Sequence, residues 1–288
     1  MQKLLLLIIL LNSIIFNSIA QEKRPYSRKG EYYFFWGYNR SEYAKSDITF
    51  KGIGYDFTLK DVEAHDLPIP FSVNEYVDIT RLSIPQYNFR VGYFFKDHWA
   101  VSFGSDHMKY VMVNEQMSTL TGHISAQVSS PAIDVQAINP AYVGDFNNQP
   151  FKINKDFLTY EHTDGFNYVH FELDRYDRLW KAQNNIQGVD WLVGIGAGTL
   201  IPRTDSYLFK VGKNNHFNFA GYGFSAKTGL RFDISRRLFF QTDVMGGFVR
   251  LNNVHTTGRD DLDYAQQSIW FGQFYGALGY KFGRHRNK

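Results

Sequence analysis

Between Phe217 and Phe282 apolar and polar residues alternate with a period of two. In Phe217 to Asp233 the even positions carry Ala220, Tyr222, Phe224, Ala226, Leu230 and Phe232, and the odd ones Gly221, Gly223, Ser225, Lys227, Gly229, Arg231 and Asp233. Side chains alternate across a strand, so this pattern predicts a strand with one greasy face and one small or polar face. After a turn at Asp233-Ile234-Ser235-Arg236-Arg237, Leu238, Phe240, Val244 and Phe248 alternate with Gln241, Asp243 and Gly247. Trp270, Phe274, Leu278, Tyr280 and Phe282 then alternate with Gln273, Ala277, Gly279 and Lys281.

The same reading places five strands upstream, over about 31–40, 84–95, 99–106, 165–177 and 188–201, for a total of eight. Their connections alternate in length along the chain: 41–83 long, 96–98 short, 113–164 long, 178–187 moderate, 202–216 long, 234–237 short and 254–267 long. That alternation is what an up-and-down membrane barrel requires, with tight turns at one end and long loops at the other. The expected fold is therefore all-β, a transmembrane antiparallel barrel of eight strands. Residues 48–62 also alternate, and they predict a hairpin of the first long loop turned by Gly52-Ile53-Gly54. A ten-stranded barrel is the alternative and would need a further strand from the second loop. A soluble lipocalin-like barrel would point its apolar side inward and cover its outside with Lys, Glu and Thr. Here the other face is Gly, Ser, Ala and scattered charge, which suits a narrow packed lumen.

Composition and the N-terminus sharpen this picture. Lys3, the apolar run Leu4 to Leu11 extended by Ile14 to Phe16, and Ser18 and Ala20 before Gln21 read as a secretory signal over 1–20, leaving 21–288 as one barrel domain. Asn12, Ser13, Asn17 and Ser18 interrupt a run that would need about 20 apolar residues to span a bilayer as a helix. The chain has no cysteine, which removes a lipid anchor on Cys, disulfides, thiol nucleophiles and Cys-ligated metals. Losing Lys3 with the leader takes the 31 basic residues to 30 against 28 acidic ones, so no excess of positive charge points to nucleic acid. Aromatic residues make up 17% of the chain, as the two interfacial girdles of a membrane barrel demand.

With the greasy face toward lipid, the lumen receives Arg90, Lys227, Arg231 and Lys281 together with Asp106, Glu172, Asp174, Asp190 and Asp243. Charges in a tight interior must pair or cost several kcal/mol each, so these residues predict a structural network filling the barrel in place of a continuous pore. A second group lies where strands three and four meet the second loop: Asp106, His107 and Lys109 on one side, Glu161, His162, Asp164 and His170 on the other. Carboxylates beside imidazoles bind divalent metals or run acid-base chemistry, which makes His107, His162, Asp106 and Asp164 the catalytic candidates. A polar rim that anchors the large loop is the structural counterpart. The spacing matches no metal motif such as HExxH, and no metal or other cofactor is expected. Asp260, Asp261 and Asp263 lack the glycine and ligand order of a calcium loop.

Glu161-His162-Thr163-Asp164-Gly165 resembles the His-x-Ser-Asn surroundings of outer-membrane phospholipases and lipid A deacylases, although the serine position two residues after the histidine is Asp164 here. That resemblance implies a lipid-modifying hydrolase. As a whole the chain resembles small Gram-negative outer-membrane β-barrel proteins of the eight-strand type. This implies a place in the bacterial outer membrane and contact with its lipid and lipopolysaccharide. The length and aromatic content of the loops 41–83 and 113–164 lead to the expectation of a non-enzymatic role in which they bind an envelope protein, lipopolysaccharide or a surface ligand. The first of those loops is acidic, with Asp47, Asp56, Asp61, Glu63, Asp66, Glu75 and Asp78, and the second carries Tyr142, Phe146, Phe151 and Phe157.

Overall fold

The structure is a computed structural model and describes residues 27–283 except 79, 82, 127, 129–137, 185, 213, 260 and 261. The signal segment 1–20 and the acidic pair Asp260 and Asp261 lie outside the described residues. The strands in chain order are β1 (Tyr32–Tyr43), β2 (Ser46–Gly52), β3 (Tyr55–Val62), β4 (Ala64–His65), β5 (Tyr87–Phe94), β6 (Trp99–Met112), β7 (Met117–Ile124) and β8 (Gly144–Lys152). They continue as β9 (Leu158–Lys181), β10 (Gly188–Pro202), β11 (Asp205–Leu208), β12 (Val211–Gly212), β13 (Gly221–Asp233), β14 (Leu238–His255) and β15 (Tyr264–Phe282). A short α-helix, α1 (Val73–Tyr76), sits in the first loop, and a single 3-10 turn among the described residues (Pro140–Tyr142) in the second.

Eight of these strands pair in the ring β1-β5-β6-β9-β10-β13-β14-β15, and β15 returns to β1 in register from Tyr32↔Phe282 to Tyr43↔Phe271. Every pairing in the ring is antiparallel, so the sheet closes as an up-and-down barrel. The turns at one end are tight. Lys96 and Trp99 exchange backbone hydrogen bonds, and Ser235 Oγ accepts from the N–H of Leu238 at 2.9 Å.

The outer wall is apolar. Tyr32, Phe34, Phe103, Phe171, Phe224 and Trp270 stand exposed, whereas Tyr33, Phe35, Arg90, Asp106 and Glu172 on the alternate positions are buried. A water-soluble barrel would bury the first set, so the wall is built to face lipid. Aromatic pairs mark its two margins: Tyr32 with Tyr93 (4.7 Å between ring centres) at the short-turn end, and Trp36 with Tyr87 (4.6 Å) and Phe248 with Trp270 (5.0 Å) toward the loops.

A strand tilted across a bilayer needs about 9–11 residues. β9 with 24, β15 with 19 and β14 with 18 residues therefore rise well beyond the wall. The loops build on these extensions. β2 pairs with the top of β15 from Tyr264↔Lys51 to Gln267↔Ile48, and the sheet continues outward as β2-β3-β7-β8. β4 pairs with the top of β6, and β11 with the top of β9. The predicted hairpin is thus β2 and β3. The second loop does supply the strands that a ten-stranded barrel would call for, but β7 and β8 pair with the hairpin outside the ring.

Several boundaries differ from the sequence reading: β1 runs on to Tyr43, β5 is confined to Tyr87–Phe94, and β15 begins at Tyr264, inside the expected loop 254–267. The strand expected from Phe217 begins at Gly221, because its ladder with β10 ends at Leu200↔Gly221 and Pro202, which has no N–H to donate, follows. Phe217 and Phe219, both exposed at the rim, stand on odd positions, out of phase with the greasy even positions of the strand. The strand expected over 165–177 starts earlier, at Leu158, with an irregularity where Met108↔Phe166 gives way to Tyr110↔His162. Gly165, at φ +148°, sits in that bulge, a conformation that L side chains rarely adopt.

Candidate functional site

The lumen holds charges on two levels, both assembled by inward positions of neighbouring strands. At the upper level Arg90 from β5 donates from Nε to Glu172 Oε2 (2.9 Å) and from Nη2 to Glu172 Oε1 (3.1 Å), and its Nη1 lies 2.8 Å from Asp106 Oδ1. Asp106 also meets His170 Nε2 at 3.0 Å. From the opposite wall Lys227 reaches Glu172 (2.7 Å), Asp174 (3.2 Å) and Asp243 (3.7 Å), while the Tyr275 hydroxyl donates to Asp243. At the lower level Asp190 takes Arg28 and Arg178, and Asp233 takes Arg178 at 2.7 Å and Lys281 at 2.8 Å. Arg231 lies between Glu31 and Asp233, with its guanidinium 3.8 Å from the centre of the Phe239 ring.

Small residues opposite large ones make this density attainable. A Cβ on Gly194 would stand 2.0 Å from Asp174 Oδ1, and one on Gly92 would stand 2.0 Å from the Tyr33 ring. Every residue expected in the lumen is therefore buried among partners of opposite charge. Sequence reasoning missed the lower tier: Arg28 it did not place, and Glu31, Arg178 and Asp233 it took for strand ends and turns. It also missed the aromatic ring of Tyr33, Phe94, Tyr176 and Phe239 around Arg231. The signal was present in β1, where Tyr33 and Phe35 are as apolar as Tyr32 and Phe34.

The four catalytic candidates occupy four different environments. Asp106 is in the lumen with Arg90 and His170. His107 points the other way, stacked at 5.0 Å on Tyr87 and hydrogen-bonded through Nδ1 to Asn167 Oδ1 at 2.9 Å. His162 is buried above the lumen against Phe166 and contacts Thr204 Oγ1 at 3.0 Å. Asp164 is exposed on the bulge, 3.8 Å from Arg203 Nε. The structure unites only Asp106 and His170, and that pair already serves the Arg90 network. Among the described residues no group of three or more His, Asp or Glu side chains could hold a metal ion.

What the long loops build is a second, external core. Phe50 and Phe57 stack at 5.3 Å; Phe157 packs against Phe57 (5.5 Å), Phe209 (5.5 Å) and Phe151 (4.6 Å); Tyr142 closes on Phe157 at 5.0 Å. Phe209 gets there through a tight β11–β12 turn in which it and Lys210 adopt φ of 53° and 68°. The far face of this external sheet is polar. Thr49, Thr58 and Thr121 lie opposite one another across β2, β3 and β7, with Thr49 and Thr58 hydroxyls 2.8 Å apart, and Lys60 donates to Asn148 Oδ1 at 2.7 Å.

The first loop also seals the barrel mouth where β5 is short. Asp66 accepts from the N–H groups of Ser41 (3.1 Å) and Leu67 (2.8 Å) and from the Gln86 amide. Burial raises its carboxyl above the ordinary aspartate range against the pull of those donors. Beyond Asp66 the chain folds down over the outer wall, where the Tyr38 hydroxyl donates to Tyr76 O at 2.6 Å and Arg40 Nη2 to the Tyr76 hydroxyl at 3.0 Å. Phe71, Val73 and Val77 stay exposed there.

No protein-family model and no curated protein matches the chain. Among solved structures it is similar to the outer membrane protein OprG from Pseudomonas aeruginosa, at 11% identity over 91% of this chain and 100% of that one, with a TM-score of 0.42. It is also similar to Ail, the attachment invasion locus protein of Yersinia pestis, at 14% identity over 88% and 99% of the two chains, with a TM-score of 0.32. Neisserial surface protein A is similar at 7% identity over 88% and 100%, with a TM-score of 0.36.

Proposed function

We propose that the protein is an integral protein of the bacterial outer membrane in which the barrel is an anchor and the external sheet is the working part, binding an envelope protein, lipopolysaccharide or a surface ligand. The observation that carries this reading is the second core. Neither β2-β3-β7-β8 nor its aromatic filling is needed to close the ring, and yet the sheet is tied to the barrel by the β2–β15 ladder. Long loops that are ordered in this way are commonly functional, and a rigid sheet presents its side chains without an ordering cost at the moment of binding. Its polar outer face of Thr58, Thr119, Thr121 and Lys60 suits a hydrogen-bonding partner.

Chemical cross-linking on intact membranes followed by capture of the protein tests this reading. The expected result is a partner in fixed stoichiometry that is lost from a chain carrying Thr119→Tyr and Thr121→Tyr, while the barrel keeps its heat-modifiable migration in gels. Capture of the same partner by that variant would move the binding surface elsewhere, and a lipid-processing activity abolished by replacing His107 and His162 together would favour the hydrolase.

A further inference from the structure

β15 pairs with β14 on one side and, at its top, with β2 on the other, so the outward faces of β2 and β3 and of β14 and β15 run on in one sheet, and residues from both line one concave surface, an elbow. In that elbow lies a cavity of about 480 Å³, lined by Lys45, Ser46, Asp47, Thr49 and Thr58 from the sheet side and by Phe248, Arg250, Gln266, Ser268 and Trp270 from the wall.

Its position along the wall decides its chemistry. Outward positions of β15 run Leu278, Phe274, Trp270, Ser268, Gln266 toward the outside, and those of β14 run Phe240, Val244, Phe248, Arg250, Asn252. The change from apolar to polar falls between Phe248 with Trp270 and Arg250 with Ser268, directly opposite one another across the ladder. The cavity therefore straddles the level at which acyl chains give way to headgroups. Immediately below it Gly246 faces Gly272, and at either one an added Cβ would meet nothing within 4 Å. This glycine pair leaves a shallow trough in an otherwise bulky wall.

The polar part carries hydroxyls and two cations, Arg250 and Lys45, beside one carboxylate, Asp47. Arg250 has no carboxylate partner among the described residues; Nη1 donates to Ser268 Oγ at 2.8 Å and Nε to Asn252 Oδ1 at 3.1 Å, which orients the guanidinium without neutralising it. Lys45 is exposed and shares its charge with Glu63 at 2.5 Å across a solvated surface. Asp47, the acid of the lining, is engaged by the N–H of Asp61 at 2.9 Å. A guanidinium is suited to phosphate oxygens, and an aromatic floor to the carbon skeleton of a sugar or glycerol.

We propose that this elbow is a binding site for a phosphorylated lipid of the outer leaflet, with the phosphate against Arg250 and Lys45, the headgroup hydroxyls against Ser268, Thr49 and Thr58, and an acyl chain in the Gly246–Gly272 trough below Trp270. The site rests on the reading of the wall as lipid-facing; it shares Thr58 with the edge of the partner face, while Lys45, Arg250, Ser268 and the glycine trough lie outside that face.

The full-length barrel in a phosphate-free detergent, titrated with bis-phosphorylated lipid A, its dephosphorylated counterpart or inorganic phosphate and read by native mass spectrometry, tests the site. The wild type is expected to retain the phosphorylated lipid at least tenfold better than the dephosphorylated one, and millimolar inorganic phosphate is expected not to displace it. Lys45→Gln with Arg250→Gln should erase the preference for phosphate, and Gly272→Leu should lower retention of both lipids while heat-modifiable migration shows each barrel folded. Equal retention by the Lys45→Gln, Arg250→Gln variant, or displacement of the lipid by inorganic phosphate, overturns the proposal. Loss of partner capture by the Thr119→Tyr, Thr121→Tyr chain would leave this result untouched.

Discussion

At the scale of single residues the lumen network is the most demanding feature of the chain. Arg90 is fully buried and answers two carboxylates, so removing it strands both Asp106 and Glu172 in a low-dielectric interior. Breaking one partner of a buried pair costs about 3–5 kcal/mol, whereas exposed pairs are worth well under 1. Arg90→Ala should therefore lower the urea midpoint of the folded barrel far more than Lys152→Ala, whose pair with Glu115 is exposed. Similar midpoints for the two would mean that the network contributes little. Gly194→Val makes the steric version of the same point, because its side chain would collide with Asp174 and Lys227; a barrel that folds with wild-type stability would show that the lumen is looser than described.

Asp66 sets a different test. Its raised carboxyl pKa means that the folded loop holds the proton more tightly than the unfolded chain does, so its contribution favours folding at low pH and is lost as pH rises through the folded value. Amide protection factors around Ser41 and Leu67 should fall as pH rises above the ordinary aspartate value of about 3.9 in the wild type and stay flat in Asp66→Asn. Equal pH dependence in both proteins would assign the effect elsewhere. The lumen charges were legible from parity alone, because a charge on the non-greasy face of a lipid-facing strand has only the interior to go to. Asp66 was not legible, since its role depends on β5 stopping at Tyr87 and leaving a gap for a loop residue to fill.

At the scale of elements the ring strands were readable because each must satisfy two constraints together, a period of two and a length that spans the bilayer. The strands β7 and β8 satisfy neither cleanly. β8 is Gly-Asp-Phe-Asn-Asn-Gln-Pro-Phe-Lys, exposed along most of its length and broken at Asn148, whose φ is 50°. It is a strand because Phe146 and Phe151 have the external core to reach, and such a tertiary cause leaves no local trace. The descending segment of the first loop offers an element-scale prediction. Tyr38 shares its outward face with Tyr32 and Phe34, and it is Tyr38 that holds Tyr76, so Phe71 comes to rest beside the lipid-facing wall. The chain has no cysteine, so one introduced label is unambiguous. A nitroxide on Phe71→Cys in vesicles should be relaxed strongly by oxygen and weakly by a polar nickel reagent, and one on Asn147→Cys should show the reverse. Matching accessibilities would lift the loop off the membrane.

For the whole molecule the question is whether an inside-out barrel of eight strands conducts. Such a ring is just wide enough for side chains to fill, and here the inward positions bring large ones: Arg90, Arg231, Tyr33, Phe35, Tyr168, Tyr176 and Tyr275 are all fully buried. They do not simply crowd the axis. Arg90 and Lys227 come from opposite walls and meet on the same Glu172, so the upper level bridges the lumen from side to side. Lower down, Arg231 is enclosed by Tyr33, Phe94, Tyr176 and Phe239. An ion crossing the barrel would have to break the Glu172 bridge and then pass an aromatic ring already occupied by a guanidinium. Planar bilayers containing the reconstituted protein should therefore show no steady conductance above the bare membrane. The Arg90→Ala, Lys227→Ala chain, if it folds, should admit at most brief openings, because the lower level remains closed. A stable open channel in the wild type would mean that the two levels come apart in the membrane, and with that the anchor role of the barrel would fall.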